Sequence, residues 1–282
     1  IKALKKKGYN VTKFDPKFKN FNLIDKMKVD VIFNALHGRD GEDGIAQSYF
    51  EYLRIPYTHS GVISSFNAMD KSISKKIFIK NKIKTPKFFI IQKKDLKKNK
   101  IDKILKKNKI VFPIVSKPTN EGSSLGVEVC KNKKELSKSI KNQFKEYENL
   151  IIEEFIAGQE VQVAIINGTP IGAIELIPKR LFYDYKAKYN ASAGTKHIIP
   201  VQIDKKNLKQ VLSIALKAHK LLKCRGVTRS DFRFYNNKFY LLEINTQPGM
   251  TSLSLVPEIA SYYGISFIKL IEILIDDASI KK

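Results

Sequence analysis

The chain has 282 residues, 43% of them hydrophobic, a length suited to two or three packed α/β units and an apolar content that excludes a wholly disordered chain. The formal charge is +25, yet only six of the 52 basic residues are arginine. Readers of nucleic acid lean on arginine for bidentate contacts, so the charge implies a solvated lysine-rich surface that draws in anions such as nucleotides. No apolar run reaches the roughly 18 residues of a membrane span, the longest (265–275) being broken by Lys269 and Glu272. Cys130 and Cys224 cannot build a disulfide framework, and no signal-peptide pattern opens the chain. A soluble, cytoplasmic protein is expected.

The first stretch alternates helix and strand signals. Residues 8–14 suggest a helix end and then a strand, and Val29–Asn34 a buried strand. The glycine-rich loop HGRDGEDG follows at 37–44, beyond the carboxyl end of that strand, where open α/β sheets place ligands. From Asp70 a lysine-rich helix runs to about Lys80, and residues 83–91 look extended. Strands are predicted over 111–117, 127–130 and 150–155, around a helix at 133–146, with the dense lysine stretch at 93–109 before them. A hairpin over Asn167-Gly168 joins strands 160–166 and 171–177; residues 179–197 are polar and irregular. An amphipathic helix spans 204–223, with Asp204 as its N-cap and Leu208, Val211, Leu212, Ala215, Ala218 and Leu222 on one stripe. Two strands and a C-terminal helix close the chain.

Two places carry chemistry. Side chains alternate along a strand, so Arg229 and Asp231 share a face, as do Glu243 and Asn245. The strands flank a turn at Asn236-Asn237. A three-residue loop, 236–238, sets Asp231 opposite Glu243, whereas a two-residue loop turns them to opposite faces. Two carboxylates and an amide oxygen on one face make a hard-oxygen site for Mg2+ beside phosphates; the plainer reading is a surface carboxylate pair with lysine partners. The second place is the loop Lys117–Gly126, whose glycines and serines let backbone amides wrap a phosphate while Lys117 supplies charge. No Gly-Lys-Ser/Thr follows, so it is not a P-loop, and such a loop by itself is more often a plain turn.

Taken in order, HGRDGEDG at 37–44, MDK at 69–71, KPTNEGSSLGV at 117–127, EEFIAGQE at 153–160, FYDYKAKY at 182–189, RSDF at 229–232 and LLEINTQPGMTSLSLVP at 241–257 resemble the D-alanine–D-alanine ligases of the ATP-grasp superfamily. The resemblance implies an α/β fold of ATP-grasp architecture. A Rossmann-like N-terminal α/β unit (1–69) would precede two α+β units (70–155 and 156–282) that sandwich ATP. The family opens with a strand and a glycine-rich loop carrying a glutamate, whereas this chain starts in what looks like the next helix.

The activity implied is the joining of two D-alanines with ATP, through an acyl phosphate and a tetrahedral intermediate, for peptidoglycan precursors. By the resemblance, Lys71, Lys117 and Ser124 meet the ATP phosphates. Glu153 takes the adenine amino group, Glu154, Phe155 and Ile156 line the base, and Glu160 accepts from the ribose. Asp231, Glu243 and Asn245 match the ligands of Mg2+ (or Mn2+), two ions per site. Arg229 and the Gly249 amide match groups that steady developing negative charge, and Ser254 and Leu255 those that hold the second D-alanine's carboxylate. Ser123, Lys188 and Tyr189 belong to the phosphate loop and the closing loop it meets. His37 matches a histidine near the second substrate. A tyrosine at 189 accompanies dipeptide rather than D-lactate ester formation. The resemblance implies no specific nucleic-acid or membrane partner and is compatible with a homodimer. The alternatives are another ATP-grasp carboxylate–amine ligase, a ligase fold that only binds ATP and, remotely, a lysine-rich nucleic-acid binder.

Overall fold

The computed structural model describes residues 1–94, 101–122, 124–178, 195–251 and 254–280. The 95–100 part of the lysine stretch and residues 179–194 lie outside them. Two antiparallel sheets carry the architecture. The first comprises β1 (Phe88–Gln92), β2 (Ile114–Pro118), β3 (Glu128–Cys130) and β4 (Asn149–Glu154) in the order β1-β4-β2-β3. Its alternation divides two faces: Ile114, Leu150 and Ile152 join Leu136 and Ile140 of a helix (Lys133–Gln143) in one core. On the other face Val115 pairs with Glu153 and Lys117 with Ile151. One strand pattern thus builds a core and arms a cleft.

The second sheet runs β7-β6-β5-β8-β9, from β5 (Gln159–Ile166), β6 (Thr169–Ile177), β7 (Lys196–Ile198), β8 (Val227–Tyr235) and β9 (Lys238–Asn245). The β5–β6 turn is the expected one, with Asn167 and Gly168 at φ 46° and 69°, the backbone of a two-residue I′ hairpin. The predicted amphipathic helix spans Lys205–Leu221; Asp204 caps it, its side chain accepting from Asn207 N at 2.7 Å. It packs Val211, Ala215 and Ala218 against Val161, Val163 and Phe232. The opposite face of the sheet is covered by two helices, Leu255–Tyr262 and Phe267–Asp276. A single C-terminal helix is therefore corrected to two: Gly264 at φ 85° breaks the run, and Ser266 caps the second, accepting from Lys269 N.

The N-terminal stretch departs most from expectation. A short helix, α1 (Lys2–Lys6), opens it, a 3₁₀ turn occupies Phe21–Met27, and helices follow at Ile45–Tyr52 (α2), Val62–Met69 (α3) and Lys71–Lys80 (α4). No strand forms over 8–14, and the strand expected over 29–34 is reduced to a single parallel bridge, Ile32 to Tyr57. A hydrophobic run supplies a strand's side chains but not its partner, and here the backbone pairing is confined to Ile32 N with Pro56 O and Thr58 N with Ile32 O.

Two buried histidines give this fold an acid limit. His59 is 1% exposed. Burial, then the charges of His37 and Arg225, push its imidazole down to about 3. Burial, with Lys220, lowers His219 to about 4. Both native pKa values lie below the ordinary histidine value near 6.5, so the unfolded chain binds more protons in acid. Stability is fully present above about pH 6.5 and is lost as pH falls toward 4. Urea melts should show a loss of a few kcal/mol across that window, and His59→Asn, whose side chain tolerates the φ of 70° at this position, should flatten part of the decline.

Candidate active site

Facing surfaces of the two sheets, joined by residues 154–156, form a cleft open to solvent. Lys71, Lys117, Ser124, Glu153, Glu154, Phe155, Ile156 and Glu160 all line it, together with Asp231 and Glu243. Most of the residues singled out as nucleotide or metal groups therefore reach one space, although they span 173 positions of sequence from Lys71 to Glu243.

Asp70 caps α4, its carboxylate accepting from Ser72 N and Ile73 N. This orients Lys71, whose Nζ donates to Glu121 O at 2.6 Å and stands 3.2 Å from Glu243 Oε2. Lys117, at the end of β2, meets Glu153 Oε1 at 2.6 Å. The other carboxylate oxygen of Glu153 lies 3.0 Å from Nζ of Lys75, a residue absent from the sequence reading. Burial opposes charge on Glu153, but Lys117 and Lys75 outweigh it and hold the carboxyl below its usual range. In the hinge segment Phe155 N donates to Pro113 O at 3.2 Å, and the Glu154 carboxylate accepts from Lys87 N at 3.0 Å.

The β8–β9 hairpin sets Asp231 opposite Glu243 and Arg229 opposite Asn245, as one of the two registers foresaw, but by a different route. The loop has two residues, not three: Tyr235 pairs with Lys238, with Asn236 and Asn237 at φ 48° and 55° between them. A bulge between Asp231 and Phe232 then restores the facing register. The core shows why. Phe239, Leu241 and Ile244 of β9 all enter the same apolar cluster, and their uneven spacing of two and then three residues needs one extra residue, Leu242, on that strand.

Arg229 grips Asp231 with both oxygens, Nε to Oδ1 at 2.7 Å and Nη2 to Oδ2 at 2.9 Å, and Nε also donates to Gln162 Oε1 at 3.0 Å. One row on, Arg233 Nη2 lies 2.9 Å from Glu160 Oε2. Among the described residues no group of three or more His, Cys, Asp and Glu gathers. The available hard donors are two carboxylates and the Asn245 amide oxygen, which accepts from Gln247 N at 2.8 Å. That set fits a divalent ion that keeps water and phosphate oxygens in its remaining positions.

At the far end, Gly249 and Ser254 come together: a Cβ on Gly249 would fall 2.7 Å from Ser254 Oγ. Ser254 also occupies the N-cap position of the helix at Leu255, its hydroxyl turned to Thr251 N and Oγ1 rather than to the helix amides. His37 sits apart from the cleft, its ring 42% exposed and 3.7 Å from Glu42 Oε2. Ser123, Lys188 and Tyr189 lie outside the described residues. Gln247 was also unforeseen. It is 1% exposed, accepts from Asn34 Nδ2 at 2.9 Å, and its own amide donates to Leu36 O, tying the loop before Gly249 to the N-terminal glycine loop. A Gln between two motif residues carries no sequence signal; only its buried contacts reveal it.

The chain is similar to known proteins over nearly its whole length. The family model described as D-ala D-ala ligase C-terminus matches residues 77–276, and the one described as D-ala D-ala ligase N-terminus matches residues 3–60. The D-alanine–D-alanine ligase of Pelagibacter ubique is 58% identical over 283 residues, covering 100% of this chain and 91% of that protein. That of Rickettsia typhi is 42% identical, over 99% and 84%. Among solved structures, the Bacillus anthracis D-alanine–D-alanine ligase complexed with ATP superposes with a TM-score of 0.78 at 32% identity, over 92% of this chain and 83% of that one. The VanG D-Ala:D-Ser ligase of Enterococcus faecalis gives 0.79 at 31%, over 89% and 73%. Sequence, fold and cleft converge: this chain belongs to the D-alanine–D-alanine ligase family.

Proposed function

We propose that the chain joins two D-alanines with ATP, giving D-alanyl-D-alanine, ADP and phosphate for peptidoglycan precursors. The observation that carries this reading is the single cleft in which Lys71, Lys117, Glu153, Glu160, Asp231 and Glu243 converge. Two buried ammonium groups suit a polyphosphate, and the buried carboxylate that one of them holds, Glu153, suits a base with an amino donor. The reaction runs in two steps. The first D-alanine carboxylate attacks the γ-phosphate and ADP leaves; the second amine then attacks the acyl phosphate carbonyl and phosphate leaves.

Negative charge concentrates in both steps, so fixed donors carry most of the catalysis. Lys71 and Lys117 hold the phosphates in line. Arg229, oriented by Asp231 and Gln162, is assigned to steady the transferring group. The Gly249 amide serves the tetrahedral oxyanion, and Ser254 with the amide of Leu255 binds the second carboxylate. Mg2+ held by Asp231, Glu243 and Asn245 would neutralise phosphate charge when bound. Among the described residues no helix is long and apolar enough to cross a membrane; the use of ATP supports a cytoplasmic enzyme.

An assay of ADP release across amino acids tests this. D-alanine should stimulate release and L-alanine should not. With D-alanine mixed equally with D-lactate, D-alanyl-D-alanine should dominate, the expectation that Tyr189 carries, and the same is expected of an equal mixture with D-serine. Equal stimulation by L-alanine, or a product dominated by D-alanyl-D-lactate, contradicts the reading. The D-serine arm separates the two specificities named among the structural relatives.

A further inference from the structure

Three lysines converge on the nucleotide end of the cleft, and one of them does not face it. Lys71 and Lys117 line the cleft; Lys75 does not, although it lies one helical turn beyond Lys71 on the same face of α4. Its side chain is 0% exposed. The Nζ donates to Thr85 Oγ1 at 2.6 Å, sits 5.6 Å over the Phe88 ring, and meets Glu153 Oε2 at 3.0 Å. Glu153 therefore has one ammonium group on each oxygen: Lys117 on Oε1, from within the cleft, and Lys75 on Oε2, from behind it.

The two contacts are not equivalent. A polyphosphate entering the cleft competes with Glu153 for Lys117, so the Oε1 hydrogen bond is exchangeable. Lys75 does not line the cleft, so its ion pair with Oε2 persists. A lysine that is fully buried loses its hydration and is tolerated only when charge and hydrogen bonds replace it. Here Glu153, Thr85 and the face of Phe88 do so, and burial together with Lys117 still pulls the Lys75 ammonium down to about 8. Packing alone gives no reason for a cation at that position.

We infer that Lys75 is a positioning residue for base selection: by anchoring Glu153 through Oε2, it leaves Oε1 as an acceptor-only atom for the exocyclic amino group of a 6-aminopurine nucleotide. A 6-oxopurine presents an acceptor to the same atom and is rejected. If Glu153 lost its anchor it could turn or take a proton, and a protonated carboxyl also donates, so the two purines would no longer be told apart. This inference rests on the nucleotide reading of the cleft given above.

The test measures dissociation constants of the full chain for ATP and GTP, by calorimetry, in wild type, Lys75→Met, Glu153→Gln and the double variant, each checked for a cooperative melt. Wild type should favour ATP. Lys75→Met should weaken ATP binding at least tenfold and GTP binding less than threefold. In the Glu153→Gln background the same substitution should change the ATP:GTP ratio less than twofold, because Lys75 acts through that carboxylate. A merely structural lysine would weaken both nucleotides alike. Equal weakening, an unchanged ratio, or an undiminished effect in the Glu153→Gln background overturns the inference. Should Lys75→Met not fold, Thr85→Val, which removes the hydroxyl that aims Nζ, must lower the ratio in the same direction; a folded Thr85→Val with the wild-type ratio also overturns it. A wild-type chain that binds ATP and GTP alike overturns the inference alone, whereas one that binds neither overturns the nucleotide reading and this inference with it.

Discussion

Glu243→Gln should lower the rate of dipeptide formation at least ~100-fold, which corresponds to about 2.7 kcal/mol of transition-state stabilisation, and should leave the fold nearly unchanged. The two halves of this expectation have separate causes. Glu243 stands opposite Asp231 and 3.2 Å from Lys71 Nζ and lines the cleft, where the proposed reaction brings phosphate, lysine and metal together. The amide keeps the shape and one acceptor oxygen but loses the charge that balances two cations. The side chain is 24% exposed, and it belongs to none of the apolar clusters, so neither a cavity nor a buried unpaired group results. Lys71 keeps its bond to Glu121 O. The melting temperature should stay within a few degrees of wild type, while the Mg2+ concentration needed for half-maximal activity rises. A variant within threefold of wild-type rate would remove Glu243 from the metal set.

Gly249→Ala should be nearly as damaging, and on the other half of the reaction. The added methyl would fall 2.7 Å from Ser254 Oγ. That hydroxyl cannot easily yield, because it accepts from Thr251 N at 3.0 Å and shares a hydrogen with Thr251 Oγ1 at 2.9 Å. Either Ser254 breaks both bonds or the Gly249 amide is pushed away from the tetrahedral oxyanion that the proposed mechanism assigns to it. A misplacement of about 1 Å costs on the order of 100-fold in rate. The D-alanine KM should rise and kcat should fall. ATP affinity should hold, since neither Gly249 nor Ser254 lines the nucleotide cleft. Steady-state kinetics in both substrates, with separate titration of ATP binding, distinguish this from general loosening, which would move every constant together.

Residues near one another in sequence declared themselves early. The stripe of Leu208, Val211, Ala215 and Ala218 behind the Asp204 cap specifies a helix with its buried face, because 3.6-residue periodicity and a cap are local properties. Asn167-Gly168 specifies its turn, since few residues accept two successive positive φ angles. The motif segments, quoted in order, identify the family and the set of residues that the cleft collects. What remained was decided by which surfaces meet. Asn236-Asn237 leaves the loop length open, and the two-residue turn it forms would, in a regular ladder, put Asp231 and Glu243 on opposite faces. The need to bury Phe239, Leu241 and Ile244 together inserts a bulge and turns Glu243 back toward Asp231. The Val29–Asn34 run has a strand's composition but finds a partner only at Ile32, since a ladder requires a second chain segment in register. Lys75 and Gln247 look like one more lysine on a lysine-rich helix and a spacer in a motif. Their roles arise only when Glu153 and Asn34, 78 and 213 positions away, are folded against them. Local periodicity is written in consecutive residues, whereas register, bulges and buried ion pairs are settled by competition among distant segments for the same core and the same charge.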